Sequence, residues 1–222
     1  MKAYTLITGV AAVLAGLAIQ TSTLAQDTGV KAAGVSDSPD KQIRFKFPLG
    51  FSFANGAYDL DQKLRDSFIA NGYSVSDNFV WPIGLSLNPR IEFPFGGSIG
   101  ATVGPTEFFA VGKTGSGSSS SAELNCIVPI GAYVQYNLFQ NKPISPYARA
   151  GFRYPITGGD YLGSSTVGPF VAGGVEFLRT KKIGLGIEAG YDWSEVSVSA
   201  GPTGGEQRVK PIGFNVGVFV IF

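Results

Sequence analysis

The 222-residue chain contains no histidine. Hydrolytic and acyl-transfer sites most often recruit histidine as general base at neutral pH, and transition metals most often recruit it as a ligand. Its absence removes every Ser/His and Cys/His arrangement. The chain is therefore not read as an enzyme, and no catalytic residue, cofactor or metal site is expected. Cys126 is the single cysteine, which excludes an internal disulfide. Charged residues make up 15% of the chain, 17 basic against 16 acidic, so there is no electrostatic case for a nucleic-acid partner. Beyond the first 25 residues no uninterrupted apolar run reaches the ~20 residues that a membrane-spanning helix requires.

The amino end carries Lys2, an apolar stretch from Leu6 to Ile19 and the small-x-small triplet Thr23-Leu24-Ala25. This is the pattern of a secretory signal peptide, residues 1–25, cleaved after Ala25. Cleavage takes 25 of the 222 residues and leaves 197, enough for one domain. It also removes one basic residue, Lys2, so 17 becomes 16 and the mature side chains balance at 16 and 16. Residues 26–41 are small and polar and read as a flexible periplasmic leader.

From Gln42 onward the chain is rich in period-two alternation, the repeat of an extended strand. Ile43, Phe45, Phe47, Leu49, Phe51 and Phe53 are all apolar, with Arg44, Lys46, Pro48, Gly50 and Ser52 between them. The carboxyl end is as regular, every even position from Ile212 to Phe222 being apolar. Between these lie expected strands at about 79–93, from 99 onward, 124–138, 146–156, 168–178 and 183–193. The alternation of the third fails near Gly104-Pro105, where a bulge is expected. Long links (about 54–78, 112–123, 157–167 and 199–206) alternate with short ones (about 94–97, 139–145 and 179–182). Eight strands with long loops on one side and short turns on the other is the layout of an outer-membrane barrel. The aromatics fall into two groups that suit two interfacial belts, Trp81, Tyr154, Tyr191 and Trp193 outside, and Phe93, Phe95, Tyr136 and Phe222 on the periplasmic side.

The phrase Val134-Gln135-Tyr136-Asn137-Leu138, followed by Pro146-Tyr147-Ala148-Arg149-Ala150-Gly151, resembles the recurring strand–turn–strand of small eight-stranded outer-membrane barrels. These are the barrels of the OmpX, OmpW and OmpA-barrel kind from Gram-negative bacteria. The resemblance covers residues 42–222 and is architectural, resolving no subfamily. It implies an all-β, eight-stranded antiparallel transmembrane barrel, outer-membrane lipids as surroundings, and Phe222 as the assembly signal read by the barrel-assembly machinery.

Two constellations are candidates for a site. Inward parity gathers Arg44, Lys46, Arg90, Arg149 and Arg153 with Glu92, Glu176, Glu188 and Asp192. Eight strands enclose a space just wide enough for side chains, so these charges are expected to pair as a plug in preference to lining a solute path. Counting from the hairpin turns sets Arg149 beside Glu176 and Arg153 within reach of Glu188. The first long loop holds a helical pattern, with Asp59 as N-cap, Asn71-Gly72 as stop and Leu60, Leu64 and Phe68 as a narrow apolar stripe. That helix either packs on the rim or acts as a lid over an apolar ligand. Gly112-Lys113-Thr114 lacks the earlier glycine of a phosphate loop and is set aside. Cys126 falls on the lipid-facing parity. The function expected is non-enzymatic, in envelope integrity or surface interaction through the loops. The alternative is a carrier or narrow channel for small hydrophobic molecules with lateral exit through the wall.

Overall fold

A computed structural model describes residues 43–114, 120–159, 161–198 and 207–222. The signal segment 1–25, the leader 26–41, residues 115–119 and the whole of the expected 199–206 link lie outside the described residues.

Eight wall segments are built from shorter strands. The first is β1 (Arg44–Lys46) with β2 (Pro48–Ala54). A helix, α1 (Gly56–Ala70), separates it from the second, made of β3 (Ser74–Trp81), β4 (Ile83–Leu87) and β5 (Arg90–Glu92). The third comprises β6 (Gly97–Val103) and β7 (Glu107–Thr114), and the fourth is β8 (Ser120–Asn137). Then come β9 (Ile144–Gly158), a short β10 (Leu162–Thr166), β11 (Gly168–Phe177), β12 (Gly184–Asp192), β13 (Glu195–Val198), β14 (Gln207–Val209) and β15 (Gly213–Ile221). Three of the breaks fall at Pro82, Pro89 and Pro105, residues with no N–H to give to a ladder.

Every neighbouring pair is antiparallel, and the ring closes where β15 meets β2, from Asn215 opposite Ala54 to Ile221 opposite Pro48. Phe222 and Phe47 extend the closure with two backbone hydrogen bonds, at 3.0 and 3.3 Å. The terminal strand shows the alternation most cleanly: Phe214, Val216, Val218, Val220 and Phe222 are exposed, while the odd positions are buried. Phe45, Phe51, Phe152 and Val134 are each about 60% exposed on the outer face. A belt of aliphatic and aromatic side chains on this scale is untenable in water and fits hydrocarbon.

Above the ring stands a cap absent from the sequence expectation. β10, β13 and β14 form a second, three-stranded sheet, so β10 occupies what reads in sequence as the 157–167 loop. Against it packs α1, whose Leu60, Leu64 and Phe68 are buried. They share a core with Ile127, Leu162, Val196, Val198 and Val209. Full burial of such side chains is worth about 1.5–3 kcal/mol each. The helix begins three residues before the expected cap Asp59, because Asn55 and Gly56 answer to β15. Asn55 Oδ1 accepts from the Phe214 N–H at 2.8 Å, and the Gly56 N–H donates to Ile212. A Cβ at position 56 would lie 2.2 Å from the Lys210 carbonyl oxygen, so only glycine fits. The 112–123 link is shorter than expected, since pairing persists to Thr114 opposite Ser120. Cys126 is buried instead of facing lipid, within the run Asn125–Pro129 that is buried throughout.

Gly50 lies at the closing seam, where a Cβ would come within 1.9 Å of the Val218 carbonyl oxygen. Gly50→Val is expected to prevent closure, seen as loss of the compact, heat-modifiable band on unheated SDS gels. Gly173→Val, whose Cβ would meet nothing nearer than 3.7 Å, keeps that band.

Candidate functional site

The inward parity of β5, β8, β9, β11 and β12 places charged side chains within the ring, where every one must find a counter-ion. Glu176 on β11 accepts from Arg90 and Arg179, and Glu92 on β5 accepts from Arg179. Glu188 on β12 accepts from Arg149 and, at 2.8 Å, from the Tyr147 hydroxyl. Asp192 lies 3.1 Å from Arg153. Four arginines and four carboxylates, Arg90, Arg149, Arg153, Arg179, Glu92, Glu176, Glu188 and Asp192, are all at most 6% exposed. Gln135 bridges the lower group by donating to Glu176 at 3.1 Å. Aromatic faces take part as well: the Arg153 guanidinium lies 4.2 Å from the Phe170 ring centroid, and that of Arg149 lies 5.0 Å from Tyr133.

The pairings differ from those counted on the sequence. Arg149 stands opposite Ala172, and Glu176 opposite Ser145, four residues further along the ladder. The displacement arises because the chain after β9 detours through β10, so the register is set by Gly168 opposite Arg153. Arg149 instead crosses β11, where Ala172 and Gly174 leave room, to Glu188. Arg153 crosses to Asp192 in the same way. Both lean two residues toward the start of β12, since Ala172 faces Gly190 and Phe170 faces Asp192.

Arg44 and Lys46 are half-buried at the end of the ring where β1 pairs with β5, in register with Glu92 and Arg90. Two residues of the lumen escaped the sequence reading. Arg179 follows β11 within an expected turn, where parity assigns no face, and its side chain folds back into the ring and also donates to the Gln140 carbonyl at 3.1 Å. Glu107 follows the interruption at Gly104-Pro105, where alternation gives no guide. It is fully buried, and neither carboxylate oxygen has a hydrogen-bond partner.

Side chains crowd the lumen. One cavity there, between Pro48, Asn88, Arg90, Arg149 and Phe219, measures about 10 Å³, the room of a single water. Phe219 and Ile221 add apolar bulk below, each 5% exposed. Leu60, Leu64 and Phe68 close the opposite end, their stripe taken up in the cap core. Phe68 meets Tyr161 edge-on at 4.6 Å. Among the described residues no group of three or more carboxylate, cysteine or histidine side chains is placed to hold a metal.

Removing one member of a buried ion pair leaves its partner uncompensated, at a cost of about 3–5 kcal/mol. Arg149→Met is expected to destabilise the barrel by that amount in urea unfolding from lipid vesicles. The double variant Arg149→Met/Glu188→Leu recovers most of it. A loss in the double variant equal to the sum of those of Arg149→Met and Glu188→Leu alone would show that the pair is not coupled.

No protein-family model matches the chain, and no curated protein matches it in sequence. Solved structures do. The outer membrane protein OprG from Pseudomonas aeruginosa superposes with a TM-score of 0.50 at 13% identity, over 82% of this chain and 96% of that one. Neisserial surface protein A covers the same shares at 14% identity with a TM-score of 0.33. The ring of eight antiparallel ladders is thus the fold of the small eight-stranded outer-membrane barrels.

Proposed function

We propose that the protein is a non-enzymatic, non-conducting barrel of the Gram-negative outer membrane that supports envelope integrity or surface contact through its extracellular side. The observation that carries this reading is the packed lumen. An ion entering it would have to displace paired arginines and carboxylates that are at most 6% exposed, beside a cavity with room for about one water. What the molecule offers a partner is then its outside: the lipid-facing wall, and the rim formed by α1 and the sheet β10–β13–β14. In this account residues 1–25 direct export and are removed, 26–41 remain as a periplasmic leader, 42–222 form the barrel, and Phe222 serves assembly.

The carrier reading draws on one local feature. Regular pairing between the second and third wall segments lapses between Leu87 opposite Val103 and Trp81 opposite Phe108. The Thr106 N–H to Leu85 carbonyl bond, at 3.1 Å, spans the gap. A seam of that kind is where a wall opens most easily. Against it stands the helix, whose apolar stripe is buried in the cap core.

Planar-bilayer recording of the refolded barrel tests the proposal. No discrete conductance steps are expected from the native protein, and steps are expected from Arg90→Ala/Arg179→Ala, which removes two of the paired side chains from the lumen. Stable channels from the native protein would refute the packed-lumen reading. An apolar molecule that co-purifies and is lost in Leu64→Gln/Phe68→Gln would support the carrier.

A further inference from the structure

The outer wall is uneven. Cross-strand registers place Tyr136, Ala148, Gly173 and Ala189 in one row across β8, β9, β11 and β12. Three side chains of one carbon or none stand side by side in a surface where larger aliphatic and aromatic side chains predominate. The result is an open apolar trough of about 730 Å³, ending at Tyr191 and Phe214. The row runs across the strands, and barrel strands tilt by about 35–45° from the membrane normal. The trough therefore climbs from the periplasmic belt at Tyr136 to the extracellular belt at Tyr191.

At Tyr191 a second cavity begins. A polar cleft of about 400 Å³ lies between α1, β13 and the entry to β15, and Tyr191 lines both spaces. Its basic side chains are Lys63, Arg208 and Lys210, and its acidic ones Asp59 and Glu195. The Lys210 ammonium lies 5.8 Å from the Tyr191 ring centroid, and that ring packs on Trp193 at 4.7 Å. Glu195 faces Arg208 at 3.8 Å in an exposed pair. Such a pair is worth little, so the guanidinium stays available to a stronger acceptor. The cleft carries one more positive than negative side chain, three against two.

We propose that trough and cleft form one site for a single phosphorylated, acylated lipid of the outer leaflet. An acyl chain lies along the Ala148–Gly173–Ala189 row, and the phosphate is held by Lys63, Arg208 and Lys210. Each half matches a different part of that molecule. Small side chains let a hydrocarbon chain approach the wall and gain dispersion contacts along its length. Arginine and lysine at the level of the tyrosine–tryptophan belt meet a phosphate through charge-assisted hydrogen bonds. A free anion would use the cleft and ignore the trough. A second copy of the barrel would cover the trough and leave the basic cleft without a counter-charge.

The test uses the mature protein refolded into phosphatidylcholine nanodiscs and titrated with a bisphosphorylated, hexa-acylated glucosamine disaccharide, read by native mass spectrometry. One equivalent is expected to stay bound. Lys63→Gln/Arg208→Gln/Lys210→Gln is expected to weaken retention at least tenfold through the headgroup. Gly173→Phe is expected to do the same by filling the trough. Position 173 faces outward with open space around its Cβ, and the heat-modifiable band verifies that each variant is folded. The dephosphorylated lipid is expected to bind as weakly as the cleft variant. Equal retention by native protein and both variants overturns the proposal, as does equal binding of the dephosphorylated lipid. Displacement of the bound lipid by inorganic phosphate would mark a free-anion site, and a dimer abolished by Gly173→Phe would mark a protein interface. Either result overturns the lipid assignment.

Discussion

Backbone hydrogen bonding without an exposed edge governs everything else in this molecule. Hydrocarbon offers no partner to an N–H or a carbonyl, so a sheet placed in it must close on itself. The closure here joins the two ends of the barrel sequence, β15 to β2, finished by the paired bonds of Phe47 and Phe222. Glycine at the seam, as at Gly50, is the local consequence. Two strands that approach this closely leave no space for a Cβ.

Closure with eight strands fixes the interior. It is about wide enough to be filled by side chains, and the inward positions that fill it are, by parity, the polar residues between apolar ones. Charges in that space are shielded from lipid by the wall and from water by the cap. They persist because each arginine meets a carboxylate within the ring. The ion pairs are thus a consequence of topology. Glu107 is the exception, a carboxylate under the cap core without such a partner.

The sequence made the wall legible, and physics explains where it did not reach. The stripes of the first and last segments read directly, because a lipid-facing strand has no reason to break period two. Leu60, Leu64 and Phe68 were visible as one helical face. The helix start was not, since Asn55 and Gly56 take their conformation from β15, far away in sequence. The identity of the inward charges came through parity, but their partners did not. Pairing depends on register, and the β10 detour shifts that register by four residues. Arg179 was hidden because a turn has no parity. The cap sheet was hidden because strands of three to five residues such as β10, β13 and β14 are too short to show a period.

The central claim is that hydrocarbon contacts the outer stripes. Depth-resolved quenching tests it most directly. In a protein with Trp81 and Trp193 replaced by phenylalanine, single tryptophans are placed in turn at Phe51, Phe152 and Val218, and at the inward Phe170 and Phe219, in vesicles of lipid brominated at mid-chain. Strong quenching at the three outward positions and little at the inward two is the result the account predicts. Outward tryptophans insensitive to bromine and quenched by aqueous iodide would contradict it.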